Sequence, residues 1–363
     1  MAFWQPRLGG LFFGGGSYLG VDIGTTSIKM VELARGSGNP FSLKNYGLLE
    51  SYGHLERLND AIQTSSLKLY EKETIALLKI LIKKVNPGTS RVIASLPPFA
   101  SFVTLLDMPQ MSDAETAKAM PFQMRQFIPM PVTEVAIDWL KVGEKEDDNG
   151  SVRQQILLIS VPNEQIVKYQ GIFKSVGLKL VALEIEGLAL SRILIDGDPT
   201  PTLIVDIGSR STNLLVADGG YLKLVAQTDF AGGTLTQAIS SGLNINVRRA
   251  EELKKQRGLM GSGGEYELST LMLPYLDAII GEVKRLKSRY ETEYGGKVER
   301  LMLTGGTAAL PGVGRYFGGQ IGLPVVRANP FAKIKYPEKL EPVVDELGSI
   351  FAVSLGLAIR GFL

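Results

Sequence analysis

The sequence predicts an α/β protein of two related halves that face each other across a cleft. The main observation is a repeat: residues 19–29 (LGVDIGTTSIK) are echoed by residues 203–213 (LIVDIGSRSTN), with Asp22 and Asp206 lying 184 positions apart. In each copy an apolar run reaches the aspartate, turns at a glycine followed by hydroxyl residues, and resumes as an apolar strand, which is typical of a β-hairpin. A chain of 363 residues has room for two to three domains.

The composition excludes several classes of protein. With 45% hydrophobic and 21% charged residues, the chain is neither disordered nor collagen-like. The 39 basic residues nearly balance the 37 acidic ones, so no global charge points to nucleic acid. The absence of cysteine excludes disulfides, thiolate zinc sites and cysteine nucleophiles, and a single histidine, His54, argues against a multi-histidine metal site or a serine triad.

Hydropathy gives no membrane-spanning segment. A spanning helix needs about 18 apolar residues in succession, whereas the apolar C-terminal stretch 350–359 is ten residues long and ends at Arg360. We therefore expect a cytoplasmic protein. Residues 1–16 are glycine-rich and carry four aromatic side chains, which fits either a disordered end or a contact with a membrane surface or a partner. These aromatic residues are Phe3, Trp4, Phe12 and Phe13.

The two repeated turns suit a nucleotide. Turns rich in glycine and hydroxyl residues let backbone N–H groups approach phosphates closely. Carboxylates at the strand ends suit Mg²⁺, which prefers oxygen ligands and keeps several of its waters. One such segment alone is equally consistent with a tight turn in a buried sheet, but two at mirrored positions favour a nucleotide cleft.

Residues 91–175 have the pattern of an inserted unit. Apolar strands are predicted at 91–96, 102–106, 135–142 and 156–161, and Ser112–Glu115 forms a capping box that opens a helix. Because helices and strands are mixed in order, we expect a small α+β lobe on the larger frame.

These motifs resemble those of the actin-like ATPase superfamily. Residues 22–27 (DIGTTS) and 206–209 (DIGS) are similar to its phosphate-1 and phosphate-2 motifs, and residues 303–312 (LTGGTAALPG) to its adenosine motif. Further similar stretches are 186–190 and 347–360, for the two connecting helices, and 231–234 and 250–254, for the glycine pair and the nucleoside-contacting helix of FtsA-like proteins. Their order covers nearly the whole chain, so the resemblance implies an actin-like ATPase fold around a nucleotide cleft.

Within the superfamily the chain most resembles the PilM family of type IV pilus assembly, through residues 21–33, 123–139 and 354–360. This resemblance implies an FtsA-type plan, in which a subdomain 1C beside subdomain 1A replaces the second subdomain of actin. The implied divisions are a tail (1–17), 1A (18–90, 176–200 and 345–363), the inserted 1C (91–175), 2A (201–227 and 273–344) and 2B (228–272).

The resemblance also implies roles for single residues. Asp22 and Asp206 would hold Mg²⁺ through water, and Glu186 would orient the attacking water, with Glu184 or a purely structural carboxylate as the alternatives. The residues implied to bind ATP or ADP are Gly24, Thr25, Thr26, Ser27, Lys29, Gly208, Ser209, Ser211, Gly232, Gly233, Glu251, Lys254, Gly305, Gly306 and Thr307. Lys29 also fits a solvated strand end, and Glu251 and Lys254 also fit an ordinary charged helix face.

The partner implied by the family is the cytoplasmic N-terminal segment of a PilN-like inner-membrane protein, bound in a groove between 1A and 1C. Other inner-membrane pilus components are implied too, self-association stays open, and no nucleic acid is expected. An extended segment needs a preformed groove with apolar pockets. Candidate lining residues are Phe122, Phe127, Ile128, Pro129 and Trp139, which could instead form the core of the insert.

Three functions stay open at this point. The leading one is an ATP-binding pilus scaffold, held at the inner membrane by its partner, with slow or absent hydrolysis. The second is an FtsA-like filament protein of cell division; such proteins carry a linker and a membrane-binding helix after the second connecting helix, and this sequence ends at Leu363. The third is a metabolic kinase, which needs a carboxylate base that Asp107 or Asp138 would have to provide.

Overall fold

A computed structural model describes residues 16–24, 26–36, 41–50, 67–128, 130–147, 149–260 and 266–363. Several residues considered above lie outside this described part of the chain: the four N-terminal aromatic residues, Thr25, His54 and Pro129.

The chain alternates strands and helices. The strands are β1 (Ser17–Ile23), β2 (Ser27–Arg35), β3 (Phe41–Glu50), β4 (Arg91–Leu96), β5 (Phe102–Pro109), β6 (Val135–Glu146), β7 (Val152–Pro162), β8 (Lys179–Ile185), β9 (Thr202–Ile207), β10 (Thr212–Asp218), β11 (Tyr221–Thr228), β12 (Arg300–Thr304), β13 (Val325–Arg327) and β14 (Ile334–Lys335). The helices are α1 (Leu67–Val85), α2 (Asp113–Gln123), α3 (Asn163–Ser175), α4 (Glu186–Leu194), α5 (Gly232–Leu243), α6 (Val247–Arg257), α7 (Tyr266–Tyr294), α8 (Val313–Ile321) and α9 (Val344–Arg360).

Two large sheets share one topology. The first half has the strand order β14-β3-β2-β1-β4-β8 and the second half has β11-β10-β9-β12-β13. In each, the first strand and the two that follow it in sequence form an antiparallel run, and parallel strands stand on the other side of the first strand. The sequence repeat therefore reports a structural repeat, and the prediction of two related halves is confirmed.

Helices cover both faces of the six-stranded sheet. Neighbouring residues of β3 point to opposite faces: the Tyr46 ring packs edge-on against Phe351 of α9, while a Cβ on Gly47 would contact Val85 and Leu81 of α1. A strand covered on both faces is expected to be mainly apolar, which agrees with the buried run from Val92 to Leu96 in β4, where only Ser95 is polar.

The two halves are joined where α4 and α9 cross. A Cβ placed on Gly356 of α9 would lie 2.1 Å from the carbonyl oxygen of Ala189 in α4, so only glycine permits this approach of the two backbones. By length and hydropathy the helical stretch Glu338–Arg360 could also cross a membrane, with a mean hydropathy of 1.6. However, its side chains from Phe351 to Ile359 are buried in the core against β1, β2 and α4.

The insert is an antiparallel sheet in the order β5-β7-β6 with α2 on one face. Successive residues of β7 alternate between two cores: Ile156 and Leu158 pack with α2, whereas Leu157, Ile159 and Val161 pack with the first half. The predicted capping box at Ser112 and Glu115 opens α2 and is confirmed.

Three boundaries differ from those expected. Residues 91–96 were assigned to the insert, but β4 pairs with β1 and β8 at the centre of the first half, because both of its faces are apolar and need covering. Residues 334–335 were assigned to 2A, but β14 pairs with β3 of the first half. Finally, α7 runs continuously through residue 273, the expected start of the second part of 2A.

Candidate nucleotide-binding cleft

A cleft of 730 Å³ opens between the two halves. Its walls come from both repeated hairpins, β3, α6, the turn after β12, β13 and the first turns of α9. Of the residues predicted to bind nucleotide, those that line it are Thr26, Ser27, Lys29, Gly208, Ser209, Gly232, Glu251, Lys254, Gly306 and Thr307. The structure thus brings together side chains that are up to 281 positions apart in the sequence.

The two hairpin turns that enter the cleft are built alike. The N–H of Gly24 donates to the carbonyl of Ser27 at 2.9 Å, and the N–H of Gly208 donates to the carbonyl of Ser211 at 3.1 Å. A Cβ on either glycine would come within 3.0 and 2.9 Å of the same carbonyl oxygens. Each turn is therefore closed by its own backbone and needs glycine at its first position.

The first half presents a paired carboxylate. Asp22 is buried and accepts hydrogen bonds from Lys29 Nζ at 3.1 Å and from Ser95 Oγ at 2.9 Å. Burial acts to lower the pKa of Lys29, but the charges of Asp22, Asp206 and Glu186 outweigh it and raise that pKa above its ordinary value. The lysine is thus held charged at the floor of the cleft.

The Asn213 amide of the second half is shared by two carboxylates, Asp206 of the same half and Glu186 of α4. Asn213 Nδ2 donates to Glu186 Oε2 at 2.5 Å and to Asp206 Oδ2 at 3.3 Å. Burial raises the pKa of Asp206 to about 6, and Asp22 adds to this while Lys29 opposes it. Burial, followed by the charges of Asp22 and Asp206, raises the pKa of Glu186 well above its ordinary value. Lys29, which lines the cleft, is therefore surrounded by three buried carboxylates that do not themselves line it.

This excess of negative charge fits a divalent cation. The Oδ1 atom of Asn213 is buried beside the carboxylates without a hydrogen-bond partner. The site therefore has an unsatisfied acceptor oxygen in addition to its excess negative charge. In the described part of the chain, no three Asp, Glu or His side chains stand close enough to ligate one metal ion directly. The donor set thus suits an ion that keeps its water shell, as Mg²⁺ does.

On the α6 wall of the cleft, Lys254 and Glu251 form a fixed pair. Lys254 Nζ lies 2.7 Å from Glu251 Oε2 and donates to the Gly232 carbonyl at 2.9 Å and to Thr236 Oγ1 at 2.8 Å. Burial lowers the pKa of Lys254, whereas the nearby lysine charge lowers the pKa of Glu251 in spite of burial. Lys254 is accordingly a buried, engaged side chain and not a solvated one.

The glycine pair before this helix joins two walls of the cleft. The N–H groups of Gly232 and Gly233 donate to the carbonyls of Gly208 and Ser209 at 3.0 and 2.6 Å. These two donors are therefore engaged in holding the second hairpin turn. Of the two glycines, Gly232 lines the cleft.

The turn after β12 has one structural glycine and one open one. Gly305 has a φ of +86°, and a Cβ there would lie 2.7 Å from Asp206 Oδ1. At Gly306 no atom lies within 4 Å of the Cβ position, which leaves the backbone open on the cleft side. The N–H of Thr307 donates to the Ile207 carbonyl at 3.3 Å and ties the turn to β9.

The predicted partner residues lie on the α2 face of the insert. Phe122 and Phe127 are exposed, by 71% and 43%, while Ile128 is buried in the α2 core and Trp139 packs against it. This face is turned away from the first half, because strand alternation points Asp138, and not Trp139, toward β8. The structure therefore does not bring these residues to the junction between 1A and the insert.

That junction contains a pocket of about 20 Å³ between β6, β7, β4, β8 and α4. Glu184, the alternative to Glu186, lies here, where the guanidinium of Arg192 donates to both of its oxygens at 2.8 and 2.6 Å. It is thus a buried ion-pair residue outside the cleft. Asp138 also lines this pocket, and neither it nor Asp107 lines the cleft, so the structure brings neither of the two candidate kinase bases to the described cleft walls.

Sequence reasoning missed Asn213 and Ser95 as site residues. Asn213 could have been found by aligning the repeats, since it follows Asp206 by the same seven positions by which Lys29 follows Asp22. Ser95 had no such signal, because only the parallel pairing of β4 with β1 brings it to Asp22.

Comparison with known proteins gives consistent matches. A family described as "Type IV pilus assembly protein PilM" matches residues 20–362. The solved PilM-PilN type IV pilus biogenesis complex is similar at 23% identity with a TM-score of 0.79, over 95% of this chain and 98% of that one. MreB5 of Spiroplasma citri bound to AMPPNP is similar at 16% identity with a TM-score of 0.53, over 94% and 95%. Cell division protein FtsA of Enterococcus hirae is 24% identical over 337 residues, which cover 82% of this chain and 75% of FtsA.

Proposed function

The chain belongs to the PilM family of type IV pilus assembly proteins and has the actin-like fold, and from this premise we propose that it is a nucleotide-binding scaffold of the pilus assembly machinery. The observation that carries the proposal is the pair of like hairpins, which places Lys29, Gly208 and Ser209 on the walls of one cleft of 730 Å³, with Asp22 and Asp206 buried behind Lys29. We take the nucleotide to be ATP or ADP.

In this proposal the floor of the cleft holds the phosphates and a hydrated cation. Asp22 and Asp206 hold Mg²⁺ through its waters, and the ion supplies positive charge that neutralises the phosphates. Lys29 adds a fixed cation, and Thr26, Ser27 and Ser209 line the cleft as hydroxyl donors. Without a ligand the carboxylates of Asp22 and Asp206 repel each other. With Mg²⁺ bound, both interact favourably with the hydrated ion.

The nucleoside end uses the opposite wall. Glu251 lines the cleft and is kept ionised by Lys254, so it can accept hydrogen bonds from ribose hydroxyls. The open backbone at Gly306 leaves space for the flat face of the base. The ionised Glu251 carboxylate and the open backbone at Gly306 both support a nucleoside site at this wall.

Hydrolysis is slow or absent in this proposal. The resemblance assigns the orienting of the water to Glu186, but this residue does not line the cleft, and burial and its two acidic neighbours favour its protonated form. A protonated carboxyl does not accept the proton of an attacking water. The nucleotide then acts chiefly as a ligand that sets the arrangement of the two halves.

The proposed partner is a PilN-like inner-membrane protein, whose cytoplasmic N-terminal segment binds between the first half and the insert. Support comes from the solved PilM-PilN complex, which matches this chain over 95% of its length, and from the pocket that lies at that junction. The protein would then work in the cytoplasm, held at the inner membrane by this partner.

A calorimetric titration tests both parts. The full chain is titrated with Mg-ATP, and then with a synthetic peptide of the N-terminal segment of its PilN-like neighbour in the presence of Mg-ATP. One-to-one binding of each ligand supports the scaffold. An Asp22→Ala variant should lose Mg-ATP binding, and an exposed control on the same sheet, Lys44→Ala, should keep it. Failure of the peptide to bind protein that holds ATP would overturn the partner assignment.

A further inference from the structure

The pocket between the insert and the first half contains a carboxylate with one unsatisfied oxygen. Asp138 Oδ1 accepts the backbone N–H of Trp139 at 2.9 Å. Its Oδ2 atom is buried and has no hydrogen-bond partner among the described residues. Since a buried acceptor without a donor is unfavourable, this oxygen is suited to a group that arrives from outside the chain.

The size and walls of the pocket limit what that group can be. Its volume of about 20 Å³ admits one group the size of a water molecule. The surrounding side chains are mostly apolar and include Ala136, Val161 and Leu183. A single hydrogen-bonding group on an otherwise aliphatic segment matches this lining.

The charges around the pocket indicate that the group is neutral. Glu184 from β8 lines the pocket with Asp138, Arg360 from α9 acts on Asp138 through its charge, and Arg192 from α4 lies behind Glu184. Glu184 is bonded to Arg192, and its Oε1 lies 3.7 Å from Arg360 Nε. With Asp138 ionised, two carboxylates balance two guanidinium groups, so an ammonium group would add an uncompensated charge in a buried place.

We infer that Asp138 is the polar specificity determinant of the partner groove, where its Oδ2 accepts a hydrogen bond from an uncharged N–H or O–H group of the bound segment. This inference rests on the proposed function, since the segment is that of the PilN-like partner. Because the pocket admits only one small group, Asp138 thereby selects the residue at one position of the segment.

A pH dependence follows from the position of Asp138. Burial raises the pKa of Asp138 to about 7, while the Trp139 N–H and the charge of Arg360 oppose this. A donor from the segment stabilises the ionised carboxylate, so binding lowers this pKa and releases a proton when the pH is below it. The affinity should therefore fall as the pH drops from about 8 to about 6.

The test compares variants of the full chain by calorimetric titration with the synthetic peptide. Asp138→Asn and Asp138→Ala should each weaken binding by about tenfold or more at pH near 8, as for loss of a hydrogen bond to a charged group. Asp138→Asn should also remove the pH dependence. The matched control is Asp107→Asn, an exposed carboxylate of the same insert, and Mg-ATP binding checks that each variant is folded.

The outcomes separate this inference from the proposed function. If the wild-type chain does not bind the peptide, both are overturned. If it binds, but Asp138→Asn binds equally well with the same pH dependence, then Asp138 is satisfied by a buried water and this inference alone fails. A carboxyl NMR titration gives a second readout, since the pKa of Asp138 should start near 7 in the free protein and fall in the complex.

Discussion

Lys29 and Asn213 occupy the same position in the two hairpins of the cleft, each directly across a strand pair from an aspartate. Lys29 is in register with Asp22, and Asn213 is in register with Asp206. Each donates its side-chain nitrogen to that aspartate, at 3.1 and 3.3 Å respectively. The two hairpins thus share the geometry of this contact but differ in its charge. Lys29 is a cation, whereas Asn213 is a neutral amide that also donates to Glu186.

Replacing the cationic donor should remove most of the nucleotide affinity. Lys29→Met deletes the one lysine that faces three carboxylates and the proposed phosphates. We expect Mg-ATP binding to weaken by about tenfold to a hundredfold, as for a buried charge-assisted contact. Titration with a fluorescent ATP analogue measures this. Lys44→Met, an exposed lysine of the same sheet, should bind normally, and equal weakening of both variants would contradict the role of Lys29.

Replacing the neutral donor with an acid should make the protein depend on a cation. Asn213→Asp adds a fourth carboxylate to the floor and removes the donor shared by Glu186 and Asp206. Without Mg²⁺ the free energy of unfolding should fall by about 1–3 kcal/mol. Thermal melting with and without Mg-ATP tests this, because the ligand should restore more stability to the variant than to the wild type. Equal restoration would argue against a cation at this position.

The raised pKa of Asp206 predicts how stability changes with pH. Its pKa is about 6 in the folded protein and near 3.9 in an unfolded chain, so the folded state binds more protons between these values. Stability without ligand should therefore fall as the pH rises from about 4 to about 6. Chemical denaturation across this range measures the slope. An Asp206→Asn variant should show a smaller fall, and an unchanged slope would exclude Asp206 as the titrating group.

A buried lysine fastens the insert to the second half. Lys223 Nζ on β11 donates to the Val142 carbonyl and to Gln155 Oε1, both at 2.7 Å. Lys223→Met leaves both acceptors without this donor and should lower the free energy of unfolding by about 1–3 kcal/mol. The control is Lys145→Met. Lys145 is an exposed residue of the insert that donates to the Glu293 carbonyl of the second half, and its replacement should lower the free energy of unfolding by less than about 1 kcal/mol. Urea denaturation measures the free energy of unfolding of both variants. A loss in Lys223→Met no larger than that in Lys145→Met would contradict this role of Lys223.

Because the insert contacts both halves, nucleotide and peptide binding should influence each other. A ligand that changes the angle between the halves also moves the insert through Lys223 and so changes the groove. We expect the peptide affinity to differ several-fold with and without Mg-ATP, and the ATP affinity to change by the same factor with peptide. In Lys223→Met this difference should shrink. Identical peptide affinities in both nucleotide states would contradict the coupling.

Local pattern was enough to predict the hairpins, and the reason is physical. The turns at Gly24 and Gly208 are closed by bonds three residues away, so their signal lies within a few positions of sequence. Which face of the insert packs against the first half could not be predicted in this way. Alternation places Asp138 and Trp139 on opposite faces of β6, but only the packing of the whole lobe determines which face meets the first half. The residues predicted to line the partner groove therefore lie on the face away from that junction, and from the sequence Asp138 is a candidate only for a kinase base.

The contact between Gly356 and Ala189 makes the crossing of α4 and α9 a pivot. Backbones that touch at a glycine can turn about the contact but cannot slide past it without a clash. The cleft is bordered by β3 and β13, whereas the insert meets β8 and β11, which stand at the other side of each sheet. We therefore expect a rotation of the two halves about this crossing to move the cleft side and the insert side of the sheets in opposite senses, so that one narrows as the other widens.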